Sequence, residues 1–101
     1  MFIRDAADFY INTRYIKAIY VEYGFRTDGL DKDILVSADL DGDIGLIGGV
    51  YKRYIVSPNS AILAVFDDDD EGLREAKHYL ALMANRINRN INPNAEVDED
   101  D

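Results

Sequence analysis

Five consecutive carboxylate side chains, at positions 67–71, form the densest group of potential ligands in this sequence. They follow the apolar segment 61–66 and precede a segment whose apolar residues have helical spacing. Such a run could bind a cation, attract a basic protein surface, or stabilise the N-terminus of a helix through the helix dipole. The residues are Asp67, Asp68, Asp69, Asp70 and Glu71.

Three further aspartates, Asp39, Asp41 and Asp43, are spaced like the first ligands of an EF-hand calcium loop. The pattern then fails, because Ile44 and Val50 stand where that loop needs glycine and glutamate. We therefore interpret the three aspartates as the tip of a charged hairpin, and we predict no metal site.

Residue types that usually carry catalysis are scarce. His78 is the only histidine and the chain has no cysteine, which excludes a multi-histidine metal site and a thiolate nucleophile. The glycines of segment 45–49 lack the lysine and hydroxyl residue that end a phosphate-binding loop. Because one small sheet with one helix rarely encloses a cleft, we predict no enzymatic activity, no catalytic residues and no cofactor.

Seven tyrosines allow two interpretations. Tyrosine tolerates half-burial, so they can line the faces and edges of a sheet. Tyrosine is also enriched in protein-binding surfaces, so several of them can form one. The residues are Tyr10, Tyr15, Tyr20, Tyr23, Tyr51, Tyr54 and Tyr79.

The charge balance is strongly acidic, with 20 acidic against 11 basic residues and a formal net charge of −9. Such a chain is repelled by nucleic acid and by anionic membrane surfaces, so we expect it to bind neither directly. Its natural electrostatic partners are cations and basic protein surfaces. The alternative is that the acidity only keeps the protein in solution.

The length of 101 residues is that of one domain, which we place at residues 1–92, followed by a disordered acidic tail at 93–101. No apolar run approaches the roughly 20 residues needed to cross a bilayer. The N-terminus has no signal-peptide layout, and with the absence of cysteine this leads us to expect a cytoplasmic protein.

The periodicity predicts an α+β fold, in which an antiparallel meander of four or five strands carries one C-terminal helix on its apolar face. Strands are predicted at 15–23, 34–40, 44–56 and 61–66, with a bulge or a turn at Gly48-Gly49. Residues 1–12 are ambiguous between strand and helix. Pro58 favours a turn that would join 51–56 and 61–66 as a hairpin.

The hairpin at Asp41 can be given a register from burial. A two-residue loop would place polar and apolar residues on the same face, whereas a three-residue loop at 41–43 keeps the apolar residues together. We therefore predict the pairs Leu40–Ile44, Ala38–Leu46, Val36–Gly48 and Ile34–Val50.

The C-terminal helix is predicted from an apolar stripe that begins at Leu73 and ends before Pro93. Asp68 and Glu71 have the spacing of a capping box, with Asp68 as the N-cap. Leu80 and Ile87 are expected to pack on the sheet, while Glu75, His78 and Arg89 face water. The helix start needs one or two of the five acidic residues, so the others call for a different explanation.

A continuous meander would bring the 67–71 run to the same end of the sheet as the Asp41 hairpin. The expected partner-binding surface is then a cluster of carboxylates for a basic protein surface: Asp39, Asp41, Asp43, Asp67, Asp68, Asp69, Asp70 and Glu71. We expect a non-enzymatic protein-binding module, most concretely an inhibitor that mimics DNA, as phage and mobile-element proteins do against defence enzymes. The alternatives are a housekeeping adaptor or self-associating subunit, such as a homodimer, and a weak binder of cations or small molecules.

Overall fold

A computed structural model describes residues 1–25, 32–42, 49–51, 54–56 and 58–91 of the chain. In this part of the chain, an α+β arrangement combines short hairpins, a three-stranded sheet and one C-terminal helix. The elements are β1 (Phe2–Arg4), β2 (Tyr10–Asn12), a 3₁₀ turn (Thr13–Tyr15), β3 (Ile16–Phe25), β4 (Lys32–Leu40), β5 (Gly49–Tyr51), β6 (Tyr54–Val56), β7 (Ser60–Phe66) and α1 (Asp70–Ile91).

The main sheet is antiparallel and has the strand order β3-β4-β7. β4 lies in the centre, and seven of its nine residues are buried. Its alternation separates two faces, as the sequence predicts. Ile34, Val36, Ala38 and Leu40 belong to the core shared with α1, whereas Leu35 packs on the other face with Tyr54 and Ile62.

Helix α1 covers the first of these faces and contacts all three strands. Ala76 and Met83 are buried, and Leu73 and Leu80 are partly buried against the same core. Glu75, His78 and Arg89 are exposed, so the predicted orientation of the helix is confirmed. Ile87 is half-buried, and Ala84 is exposed.

The N-terminal residues, which the sequence left ambiguous, form a hairpin of β1 and β2. Asp5 shapes its turn, because one carboxylate oxygen accepts hydrogen bonds from the backbone N–H groups of Ala7 and Phe9, both at 2.9 Å. Asp8 follows with φ of 66°, in the left-handed region that aspartate tolerates. The hairpin places Ile3 and Ile11 in the main core.

The predicted pairing of 34–40 with the segment that follows it is wrong. Both sides of β4 are occupied, since Ile34 lies between Tyr23 on β3 and Phe66 on β7. Val50, predicted opposite Ile34, pairs instead with Ile55. Positions 44, 46 and 48 of the predicted register lie outside the described residues. The other three predicted positions of β4 also have different neighbours: Val36 pairs with Val21 and Ala64, Ala38 with Ile19 and Ala61, and Leu40 with Ile16.

The continuous strand predicted at 44–56 is also wrong. β5 and β6 pair with each other in antiparallel fashion, so the chain reverses between Tyr51 and Tyr54. Gly49 is paired with Val56, and Gly48 lies outside the described residues. The predicted hairpin of 51–56 with 61–66 does not form either, because β7 pairs with β4. The main sheet therefore has fewer strands than the predicted meander, and the tail at 93–101 lies outside the described part.

Candidate functional site

The acidic run, Asp67 to Glu71, connects the end of β7 to the first turn of α1. β7 ends at Phe66 and α1 begins at Asp70, so the run lies at the rim of the sheet. All five of its residues are exposed. Their position at a helix N-terminus is electrostatically favourable, because the helix dipole places a partial positive charge there.

Asp69, rather than the predicted Asp68, is the N-cap of this helix. The Oδ1 atom of Asp69 accepts a hydrogen bond of 2.6 Å from the backbone N–H of Gly72, three residues later. The backbone carbonyl of Asp69 accepts the first helical bond, from the N–H of Leu73 at 2.9 Å. The cap is thus shifted by one residue from the sequence prediction, and Glu71 is not part of a capping box with Asp68.

The local chain path explains this shift. The N–H of Asp69 bonds back to the carbonyl of Asp67 at 3.0 Å, which forms a tight turn before the helix. That carbonyl lies so close to Gly72 that a Cβ atom on residue 72 would be 1.9 Å from the oxygen. This path of the chain therefore needs glycine at 72, and on it Asp69 is the residue that caps the helix.

Among the described residues, one cation lies within ion-pair distance of the run. The Nζ atom of Lys32, at the start of β4, is 4.0 Å from a carboxylate oxygen of Asp68, with both side chains more than a third exposed. Such an exposed contact contributes little to stability. Asp67, Asp70 and Glu71 have no ion pair with any described residue, so three carboxylates of the run are uncompensated there.

The structure does not bring the two predicted acidic groups together. Antiparallel pairing places Phe66 opposite Ile34 and Ser60 opposite Asp39. Asp39 lies five positions after Ile34 on β4, which corresponds to about 17 Å along the strand. Asp39 and Asp41 therefore lie at the opposite end of the sheet from the acidic run, and Asp43 lies outside the described residues. The prediction of one cluster of eight carboxylates is wrong in its geometry.

Asp39 belongs to a hydrogen-bond network on the face of the sheet opposite α1. Its Oδ1 atom accepts from the hydroxyl of Tyr20 at 2.8 Å and from the hydroxyl of Ser60 at 3.3 Å. Asp41 is half-buried, and its backbone N–H donates to the carbonyl of Tyr15 at 2.7 Å. These contacts tie the ends of the strands together.

Glu22 is a member of this network that the sequence analysis missed. Partial burial raises the pKa of its carboxyl above the usual 4.5, the negative charge of Asp39 raises it further, and a hydrogen bond with Tyr20 partly opposes the shift. Burial and the hydrogen bond to Asp39 raise the pKa of the Tyr20 hydroxyl in turn. Alternation in segment 15–23 places Tyr20 and Glu22 on one face, but only the pairing of β3 with β4 brings Asp39 beside them.

A second polar pair is fully buried on the same face. The hydroxyl of Tyr54 donates to Oδ2 of Asp33, and both residues are buried. The interaction anchors the β5–β6 hairpin to the central strand, next to Leu35 and Ile62. Asp33 lies in a polar segment, so its burial was not predicted from the sequence.

The tyrosines divide between the two interpretations. Tyr54 is buried, and Tyr20 and Tyr79 are half-buried against the sheet or the core. Tyr10, Tyr15 and Tyr23 have exposed fractions of 70%, 37% and 50%. The side chain of Tyr51 lies outside the described part. Burial therefore accounts for three of the seven, and the exposed ones remain available for contacts.

A shallow groove of about 640 Å³ lies beside the acidic run, between the outer side of α1 and Phe66. Phe66, Tyr79 and Leu82 give it an apolar lining, and Arg74 and Lys77 contribute basic groups. The second turn of the helix mixes these two basic residues with the exposed Glu75, so the continuous acidic surface ends with the first turn of α1.

Three searches concern metal sites, membrane spans and similar proteins. Within the described ranges, no group of three or more histidine, aspartate and glutamate side chains is placed to hold a metal ion. In the same part of the chain, no helix combines the length and the apolar character needed to cross a membrane. Comparison of the chain with protein-family models, with curated proteins and with solved structures gives no match.

Proposed function

We propose that this chain is a non-enzymatic binding module that uses the acidic run to contact a basic surface on a partner protein. One observation carries the proposal. Asp67, Asp70 and Glu71 are exposed and have no ion pair with any described residue, and the contact of Asp68 with Lys32 is long and exposed.

The acidic run has more carboxylates than the N-terminus of the helix needs for capping. Asp69 alone accepts the capping hydrogen bond, and the helix dipole favours carboxylates by only about 0.3–1 kcal/mol each. Adjacent like charges repel one another, so the remaining carboxylates make the isolated protein less stable. Lysine or arginine side chains of a partner would relieve this repulsion and would also accelerate association.

The neighbouring charges limit how a partner can approach. In the second turn, the basic Arg74 and Lys77 outnumber the acidic Glu75, so this turn disfavours a basic surface that extends along the helix. A partner should therefore place its basic side chains over the connection from Phe66 to Glu71. An apolar side chain of the partner could enter the groove beside Phe66, where an anchor in a pocket typically supplies much of the affinity.

The most concrete form of this function is inhibition of a nucleic-acid-binding protein. Such a protein presents clustered lysine and arginine side chains to phosphates, and exposed carboxylates on a chain of net charge −9 can compete for them. This is the strategy of a DNA mimic, of the kind that phages and mobile elements use against defence enzymes. The cytoplasm is the compartment that we propose, since the chain has no cysteine.

Self-association is a second candidate, and a different observation favours it. β3 is a ten-residue strand at an edge of the main sheet, and two aromatic side chains near its end, Tyr23 and Phe25, are exposed. An adaptor or structural subunit could use such an edge to assemble.

Affinity capture with charge variants tests the proposed function. The run variant replaces Asp67, Asp68 and Asp70 by Asn and Glu71 by Gln, and it keeps the capping Asp69. The control variant removes four charges from the tail instead, by E96Q, D98N, E99Q and D100N. Wild type and both variants are immobilised, incubated with a lysate of the source organism, and washed with duplex DNA.

The proposal predicts a protein that wild type and the tail variant retain, that the run variant loses, and that duplex DNA elutes. Because both variants carry the same net charge, a general effect of acidity would lower retention equally in the two. Equal retention by all three proteins, or equal loss from both variants, would contradict the proposal.

A further inference from the structure

The outer edge of β3 is the longest unpaired strand edge in the described part of the chain. β3 pairs with β4 on one side through nine of its ten residues, and no described residue pairs with its other side. The opposite edge of the sheet is partly protected, because the carbonyl of Ile62 on β7 accepts a hydrogen bond of 2.8 Å from the N–H of Ala6. The β7 edge is thus partly covered by the N-terminal hairpin, whereas the β3 edge is not covered by any described residue.

The composition of β3 favours pairing. Between Ala18 and Phe25 it has five β-branched or aromatic residues, one charged residue and no proline. Natural edge strands are usually short, charged or interrupted, since a long apolar edge is a template for another strand. A bulge between Ile16 and Ala18 interrupts this strand at its beginning only, which leaves the stretch from Ala18 onward regular.

We propose that a second copy of the chain pairs with this edge in antiparallel fashion, with Val21 on the two-fold axis. This rests on the second candidate function above and gives it a site. The pairing joins the two sheets into one of six strands, with both helices on the same face. It matches Ile19 with Tyr23, Tyr20 with Glu22, and Ala18 with Gly24.

Two neighbouring registers are less favourable. An axis at Glu22 would place two carboxylates directly opposite each other, and like charges in that position destabilise a sheet. An axis at Tyr20 would let the bulge end the pairing after the five residues 18–22, whereas the Val21 axis pairs the seven residues 18–24. Charge repulsion disfavours the axis at Glu22 and the shorter pairing disfavours the axis at Tyr20, so Val21 is the favoured position of the axis.

The side chains suit this register on both faces. Ile19, Val21 and Tyr23 lie on the face of α1, where Ile19 and Val21 already pack on the core, so the pairing extends that core. Pairs of an aromatic and a β-branched residue stabilise a sheet. On the other face, the ring of Tyr20 meets Glu22, and Ala18 meets the buried Gly24, so no large side chains collide.

A second copy fits this edge better than a strand of alternating charge. The regular part of β3 has a single charged residue, Glu22, so it offers little to a highly charged peptide. The net charge of −9 on each copy opposes dimerisation at long range. Salt that screens this repulsion should therefore strengthen the dimer.

Single-cysteine variants test the register, because the natural chain has no cysteine. In a V21C dimer, the thiols of the two copies face each other at the two-fold axis. In a mixture of Y20C and E22C, the thiol at position 20 of one copy faces the thiol at position 22 of the other. Paired residues alternate between sites with Cα separations of about 4.5 and 5.5 Å, so one of these two sets has the closer spacing. V65C, on the exposed part of β7, is the control.

We expect sedimentation equilibrium to show a wild-type dimer that tightens between low and physiological salt. Under mild oxidation, V21C or the Y20C–E22C mixture should form covalent dimer at least tenfold faster than V65C, Y20C alone or E22C alone. A wild-type protein that stays monomeric at both salt concentrations would overturn the proposal, as would fastest cross-linking of Y20C alone, E22C alone or V65C.

The same experiment separates this proposal from the binding of a basic partner. The acidic run follows β7, on the far side of β4 from the β3 edge. The run variant, combined with V21C, should therefore cross-link at least as fast as V21C itself, since it also lowers the repulsion between copies. Slower cross-linking would place the run in the interface and would contradict the β3 assignment.

Discussion

Replacement of Gly72 by alanine tests how the acidic run is shaped. Alanine is normally the better helix residue, by about 1 kcal/mol. Here the new Cβ atom would lie 1.9 Å from the carbonyl oxygen of Asp67, whereas real Cβ contacts essentially never fall below 3.0 Å. The carbonyl must therefore move by about 1.1 Å, the difference between these two distances.

The cost of that movement can be estimated from the bonds that it disturbs. The carbonyl of Asp67 accepts the turn hydrogen bond from Asp69, and such a bond contributes about 0.5–1.5 kcal/mol. The capping bond from Gly72 to Asp69 contributes about 0.5–2 kcal/mol. The midpoints of these two ranges add up to about 2 kcal/mol, so after the gain in helix propensity of about 1 kcal/mol is subtracted, we expect Gly72→Ala to lower the free energy of unfolding by about 1 kcal/mol.

Thermal and urea unfolding followed by circular dichroism measures this change, which corresponds to a fall in Tm of about 4–8 °C for a domain of this size. Gly42→Ala is the matched control, because a Cβ atom at Gly42 meets only the side chain of Asn59 at 3.6 Å. That variant should be neutral or slightly stabilised. A Gly72→Ala protein as stable as wild type would refute the described path of the chain through 67–72.

Three further changes test other parts of the structure. Asp69→Ala should lower the free energy of unfolding in urea titrations by about 0.5–2 kcal/mol, because it removes the N-cap. Asp68→Ala removes the same charge and should cost close to nothing. The reverse order of the two costs would show that Asp68 is the cap, as predicted from the sequence. Glu22→Gln should raise Tm at pH 7, because the raised pKa of Glu22 means that its ionised form destabilises the fold. The variant should lose this advantage as the pH falls towards 4.5. A constant difference in Tm between variant and wild type from pH 4 to pH 7 would contradict this. Leu80→Ala should cost about 2 kcal/mol, since Leu80 packs on the main core, and a cost below about 0.5 kcal/mol would show that the helix rests on other residues.

The positions of the strands and the helix were predicted from the sequence better than the pairing of the strands. Strands expected at 15–23, 34–40 and 61–66 are present as β3, β4 and β7, and the helix is present as α1. Alternation and helical spacing are properties of one segment, so they indicate which face of an element is buried. They do not indicate which strand lies alongside.

The pairing of β4 shows this limit. The prediction gave Ile34 a partner from the nearby Asp41 turn, because a short loop is the simplest connection. Ile34 instead lies between Tyr23 and Phe66, and the latter is 32 residues away in the sequence. Local turn residues carry no signal for such a contact, and the error also placed the acidic run at the wrong end of the sheet.

The candidate site was predictable to a similar degree. The exposure of Asp67 to Glu71 was expected from five adjacent charges, and the cap was misplaced by one residue because the close approach of Asp67 to Gly72 has no sequence pattern. The network of Tyr20, Glu22 and Asp39 needed the register of β3 against β4. The burial of Asp33 depends on Tyr54, from a hairpin that was not predicted.

The most direct test of the central claim is calorimetric titration of the captured partner with wild type, the run variant and the tail variant at physiological salt. Exposed ion pairs contribute about 0.2–1 kcal/mol each, so loss of four carboxylates should weaken binding by about 1–4 kcal/mol. The proposal predicts a Kd at least about fivefold higher for the run variant, and a Kd within about twofold of wild type for the tail variant. Equal affinities for the run variant and wild type would contradict the claim that Asp67 to Glu71 form the binding surface.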